Sequence, residues 1–147
     1  QVRFIEFMPV GDKSTWNEAA YISSSDLKKQ IEAFGVLEPL PGCKMDGPAR
    51  VYSLTAESGL KGKVGFISPI SHHFCDTCNR LRLTSAGRLR ACILHDREAD
   101  LKGMLRKGAS DDEIRGLIKQ TILDKPKGHT LAEDQAKCSG QMSRIGG

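Results

Sequence analysis

The sequence predicts an α+β fold with an antiparallel sheet in its middle. Short apolar runs separated by glycines predict strands, capped stretches with 3.6-residue apolar spacing predict helices, and two alternating runs around Ser85-Ala-Gly87 predict a hairpin. At 147 residues the chain has the length of one ordinary domain, and a chain that long buries roughly two-thirds of its unfolded surface.

In chain order, Arg3-Phe-Ile-Glu-Phe-Met-Pro9 reads as a strand buried on both faces, and Val10–Tyr21 as a loop. Ser25 is the expected cap of a helix over Asp26–Phe34, with Leu27, Ile31 and Phe34 on one stripe and Gly35 as its stop. Pro39, Pro41 and Gly42 make Val36–Gly47 a connector. Strands follow near Arg50–Leu54 and Val64–Ser68. Residues 98–124 read as helical, with a short helix to Lys107 and a second one opened by the capping box Ser110-Asp-Asp-Glu113. Ile114, Leu117, Ile118 and Ile122 form the core stripe of that second helix, Pro126 stops it, and 125–147 is a tail. No second domain or internal repeat is visible.

Composition narrows the function. Twenty-two basic and eighteen acidic residues leave a net charge of +4, far from the block charge of a disordered tail. No run has the length of a membrane span, and no export signal opens the chain, so a cytoplasmic protein without a membrane partner is expected. The odd total of five cysteines argues against a disulfide framework. Cys75, Cys78 and Cys92 form C-x2-C-x13-C, a ligand spacing, whereas Cys43 and Cys138 stand alone.

If Ser85-Ala-Gly87 closes a hairpin, Leu83 faces Leu89, Arg82 faces Arg90 and Arg80 faces Cys92. Leucines then share one face, while arginines and the cysteine share the other. The register carries Cys92 back to the Cys75–Cys78 pair, making 72–92 a cluster hairpin. Three thiolates suit a cubane whose fourth iron has no protein thiolate. They equally suit a structural zinc completed by His95 as Cys3His, the commoner use of such spacing, and unliganded core thiols are the bland alternative. Arg80, Arg82, Arg88 and Arg90 against Asp76 give the segment a positive field. A zinc knot has no need of that field, whereas an anionic substrate beside the thiolates does. A solvated hairpin face is the plain reading of any one arginine. Nucleic acid is not expected as a partner, because no aromatics interleave with the basic residues.

The string Phe74-Cys-Asp-Thr-Cys-Asn-Arg-Leu-Arg-Leu-Thr84, with Gly87 and Cys92 after it, resembles the second cluster motif of the GTP 3′,8-cyclases. These are radical S-adenosylmethionine enzymes, also known as molybdenum cofactor biosynthesis protein A, that begin molybdenum cofactor synthesis. Arg3–Pro9, Gly65-Phe-Ile-Ser-Pro69, Leu105–Ser110, Lys125-Pro126, His129 and Ile145-Gly-Gly147 look like further family landmarks in family order, so the likeness covers the whole chain. It implies a [4Fe-4S] cluster on Cys75, Cys78 and Cys92 whose open iron binds the GTP purine. It implies GTP contacts at Arg80, Leu81 and Arg82, an S-adenosylmethionine contact at Met8, and active-site roles for Arg3, Gly146 and Gly147. Without it, the Gly-Gly end would read as a frayed terminus or a conjugation tail. In the complete enzyme a 5′-deoxyadenosyl radical takes hydrogen from C3′ of GTP, and the ribose radical attacks C8.

The departures from the family pattern are specific. These residues lack the C-x3-C-x2-C motif for the second [4Fe-4S] cluster, which cleaves S-adenosylmethionine. Arg3–Pro9 is the only segment resembling a barrel strand, so the chain is expected to carry the last strand of an incomplete (β/α) barrel. The barrel half is then supplied in cis or in trans, the complete enzyme is a homodimer, and this chain alone is inactive. Ala91 stands where proline is expected, and Cys43 and Cys138 have no family match.

Overall fold

Four strands and a helix make up the first of two units in the computed structural model, which describes residues 1–10, 17–42, 47–128 and 142–145. The first unit takes in Gln1–Met8 and Asn17–Phe74, and the second takes in Pro9, Val10 and the described residues from Cys75 onward. The architecture is α+β, and no closed barrel forms among the described residues. Cys43, His129, Cys138, Gly146 and Gly147 lie outside the described residues.

In the first unit, strands β1 (Val2–Ile5), β2 (Gly35–Pro39), β3 (Arg50–Ala56) and β4 (Lys61–Ile67) form a sheet in the order β1-β4-β3-β2. The β2–β3 and β3–β4 pairs are antiparallel, whereas β1 lies parallel to β4 with Val2 opposite Val64. Val64, Phe66 and Ala49 are buried, and the Phe66 ring meets Phe4 at 6.1 Å and Tyr52 edge-on at 5.7 Å. These aromatic contacts fix the sheet's packed face.

Three expectations need correction here. The first strand is not buried on both faces: Val2 and Ile5 are 55% and 60% exposed, because β1 has β4 as its one neighbour in this sheet. The segment expected to be a connector contains β2, an edge strand, where Pro39 costs no ladder hydrogen bond. Helix α1 runs Ser24–Glu32 rather than 26–34, because Ser23, not Ser25, accepts from the Asp26 amide at 3.1 Å. Phe34 consequently falls beyond the helix and is exposed.

In the second unit, β5 (Arg82–Leu83), β6 (Leu89–Arg90) and β7 (Glu98–Ala99) form an antiparallel sheet, so residues 98–99 are strand rather than helix. Helix α2 (Leu101–Arg106) starts at Asp100, whose side chain accepts from the Gly103 amide at 3.0 Å. Helix α3 (Asp111–Leu123) opens with the expected capping box: Ser110 accepts from the Glu113 amide, and Glu113 accepts from that of Ser110. Its inner face is drawn slightly differently, since Thr121 is buried and Ile122 is 51% exposed. Among the described residues no helix is long and apolar enough to cross a membrane.

Candidate functional site

The three cysteines reach one unit through two turns and a short hairpin. Cys75 begins a 3-10 turn over Cys75–Thr77, closed by the Cys78 amide donating to the Cys75 carbonyl at 3.1 Å. Two intervening residues thus set the first two thiols on a single turn. In the hairpin, Arg82 pairs with Arg90 and Leu83 with Leu89, the register expected from the sequence. The ladder ends there, so the expected Arg80–Cys92 pair lies beyond it. Gly87 has φ +79°, and a Cβ there would stand 2.6 Å from Cβ of Lys102, so the loop demands glycine twice over.

None of the three cysteines is in a disulfide, and all are half-buried. Burial pushes the Cys78 thiol up, but the Arg80 backbone N–H, Lys125 and the Arg80 charge outweigh it and hold it below its ordinary value. Lys125 Nζ lies 3.3 Å from Cys78 Sγ and also donates to the Arg80 carbonyl at 2.8 Å. Desolvation, then the neighbouring Arg80, pull the Arg82 guanidinium below its ordinary value, while Cys92 and Cys78 both push back. Arg82 therefore shares its electrostatic surroundings with the second and third cysteines. Arg80 is exposed and Leu81 half-buried.

Arg90 is the exception among the arginines. It is 2% exposed and donates to Asp96 Oδ1 at 2.9 Å, with Glu98 Oε1 at 3.1 Å. It is a buried structural cation rather than part of an anion-binding face, which corrects the expectation of a common arginine face. The zinc alternative is not assembled either. Among the described residues no three His, Cys, Asp or Glu side chains could hold a single ion, so His95 does not complete a Cys3His set. His95 instead lines a cavity of about 430 Å³ with Cys92 and Asp124, its Nε2 buried without a hydrogen-bond partner. Nor do Cys75, Cys78 and Cys92 form one single-ion set among the described residues; by donor type, three cysteine thiols in no disulfide, with Lys125 and Arg80 beside Cys78, are what an iron–sulfur cluster takes.

In the first unit, Arg3 lies opposite Gly65 on β1, and a Cβ at Gly65 would meet Arg3 Cγ at 3.3 Å. Glycine there leaves room for the arginine stem. Met8 follows β1 by three residues and is half-buried. Gly146 and Gly147 are outside the described residues, but the chain just before them is tied down. The Arg144 carbonyl accepts from the Ser85 amide at 3.0 Å, and Ile145 is 3% exposed. Sequence reasoning missed Lys125 as a partner of Cys78, because nothing local links residues 47 apart. It also missed Glu6, whose carboxylate is buried among hydrogen-bond donors.

Comparison with known proteins follows the same lines. A GTP 3′,8-cyclase of Thermodesulfovibrio yellowstonii is 47% identical over 148 residues, covering all of this chain and 44% of that protein. One from Syntrophomonas wolfei is 48% identical over 130 residues, 88% of this chain and 39% of the relative. One from Moorella thermoacetica is 41% identical over 146 residues. The chain thus spans less than half the length of the curated relatives it matches. With residues 1–131 matching that family as a block, the chain belongs to the Molybdenum Cofactor Synthesis C family.

Proposed function

We propose that this chain is the substrate-holding C-terminal part of a GTP 3′,8-cyclase, which converts GTP to 3′,8-cyclo-7,8-dihydro-GTP in the first step of molybdenum cofactor synthesis. The observation that carries this reading is the family match over residues 1–131, with the Phe74–Thr84 string lying on the Cys75 turn and the Arg82–Arg90 hairpin. Cys75, Cys78 and Cys92 hold a [4Fe-4S] cluster, which supplies an open, Lewis-acidic iron to the purine when bound. Arg80 and Arg82 hold the triphosphate, with Leu81 in the same segment, and Lys125 screens the Cys78 thiolate. Fixing both ends of a nucleotide converts binding energy into placement of its ribose. Met8, just beyond β1, is the S-adenosylmethionine contact, and Arg3, Gly146 and Gly147 are assigned active-site roles.

β1 is the last strand of a barrel whose other half arrives in cis or in trans. That half brings S-adenosylmethionine and the second [4Fe-4S] cluster, and the complete enzyme is a homodimer. These 147 residues contain no C-x3-C-x2-C run, so they do not turn over GTP alone.

The test is GTP affinity of the reconstituted complete enzyme, with iron, sulfide and zinc quantified in parallel. Arg80→Ala and Arg82→Ala should each weaken GTP binding by about 1.5–3 kcal/mol, the range for a hydrogen bond to a charged group. Arg→Lys should recover part of the loss, since lysine keeps the charge and loses the fork. Iron should stay constant in all four variants and fall on Cys→Ser at 75, 78 or 92. Unchanged GTP affinity in both alanine variants would return the arginines to a solvated surface, and zinc in place of iron would refute the cluster.

A further inference from the structure

Glu6 is 5% exposed and has no cation beside it among its recorded partners. A buried carboxylate without a counter-charge is costly unless hydrogen bonds replace its water. Here they do. Oε1 accepts from the Ser24 amide at 2.8 Å and from the Ser71 hydroxyl. Oε2 accepts from the Ile70 and Ser71 amides, both at 2.9 Å. These four donors come from two segments, 18 and 64–65 residues away, and the Tyr21 hydroxyl adds a hydrogen bond to the same side chain. The Ser24 amide is one of the first-turn donors of α1 that no helical carbonyl satisfies. The Glu6 amide in turn donates to the Ile67 carbonyl at 3.0 Å, carrying the β1–β4 ladder one residue further. The residue is therefore held at its backbone and at both carboxylate oxygens.

The carboxylate is hard to replace. Each oxygen accepts at least two hydrogen bonds, so the site is built of donors. Glutamine has the same shape, but its NH2 would face two of those donors and leave them unpaired. The staple sits two residues before Met8.

We propose that Glu6 is a positioning residue for the S-adenosylmethionine site, fixing the end of β1, and Met8 with it, to the Ile70–Ser71 segment. The inference rests on the reading that Met8 touches S-adenosylmethionine.

The experiment compares Glu6→Gln, Ser71→Ala and Met8→Ala in the reconstituted complete enzyme, measuring S-adenosylmethionine and GTP affinities separately at matched iron content. Amide hydrogen exchange is followed at Ser24, Ile70 and Ser71. Glu6→Gln should weaken S-adenosylmethionine binding about tenfold, the factor equivalent to one hydrogen bond to a charged group, and leave GTP affinity unchanged. Exchange should accelerate at Ile70 and Ser71 and stay constant along β3. Ser71→Ala removes one donor only and should act in the same direction by about threefold. It decides the matter if Glu6→Gln fails to fold. A purely structural Glu6 would lower the melting temperature and leave the affinity of the folded fraction intact. If Met8→Ala weakens S-adenosylmethionine binding while the folded Glu6 and Ser71 variants do not, this inference is overturned and the functional reading stands. If none of the three changes it, the Met8 assignment falls and takes the inference with it.

Discussion

The two units keep their order by different means. In the first, the three strands β2, β3 and β4, of five to seven residues, pair along long ladders, from Gly35–Ala56 to Pro39–Tyr52 and from Arg50–Phe66 to Thr55–Lys61. In the second, the strands around the cysteines are two residues long. Side chains supply the missing order there: buried Arg90 between Asp96 and Glu98, Lys125 bridging Cys78 and Arg80, and the Gly87 loop against Lys102. A backbone ladder tolerates most single substitutions because its bonds belong to no particular side chain. A side-chain lock does not, so the second unit should answer more sharply to point mutation.

The largest effect should come from removing the acids that hold Arg90. The double variant Asp96→Ala with Glu98→Ala leaves a guanidinium buried and uncompensated, and should destabilise the second unit by about 3–5 kcal/mol in denaturant unfolding. Changing Arg90 to Met as well should recover much of that loss, since the buried charge leaves with its partners. A double variant that unfolds like the parent would erase the contrast between the units.

The first unit has one side-chain lock of its own, and pH sharpens the comparison there. Burial pushes the Glu6 carboxyl up, but hydrogen bonds from Ser71, Ser24 and Ile70 outweigh it, so its folded pKa lies below the ordinary 4.5. Its stabilisation is therefore full above the unfolded value and drains away as pH falls through the folded one. Glu6→Gln should cost about 1.5–3 kcal/mol at neutral pH and flatten the acid limb of stability below about pH 4.5. An acid limb unchanged by that substitution would place the titration elsewhere. The smallest of the three effects should be Gly87→Ala, at about 1–2 kcal/mol for a left-handed residue, with Lys102 displaced. Amide exchange around Thr84 and Arg88 is the measurement, and protection equal to the parent would show that the loop relaxes freely.

Where the physics is local, the sequence was readable. The glycine of the hairpin loop and the Ser110–Glu113 capping box each depend on residues within a few positions, and each stands where expected. The hairpin register followed from the loop and the alternation together. Beyond that reach the reading failed for identifiable reasons. β2 was hidden by Pro39, whose edge position in the sheet no local pattern reveals. Arg90 looked like its neighbours until Asp96 and Glu98 folded back upon it. Glu6 read as one more residue of an apolar strand, since its partners lie in α1 and beyond β4. The family was legible through the Phe74–Thr84 string, while Lys125 as a partner of Cys78 was not.

The parallel pairing of β1 with β4 has a consequence in time. β2, β3 and β4 are neighbours in sequence and can zip up as they appear, whereas Val2 must find Val64, 62 positions later. At a synthesis rate of roughly 5–20 residues per second, β1 waits on the order of 3–12 seconds outside the ribosome before its partner exists. Throughout that interval Val2, Phe4 and Ile5 lack the β4 edge they pair with here, and an apolar run in that state is open to other edges that offer hydrogen bonds. Arg3 and Glu6, set within and beside that run, are the charges that keep it from pairing with the wrong edge.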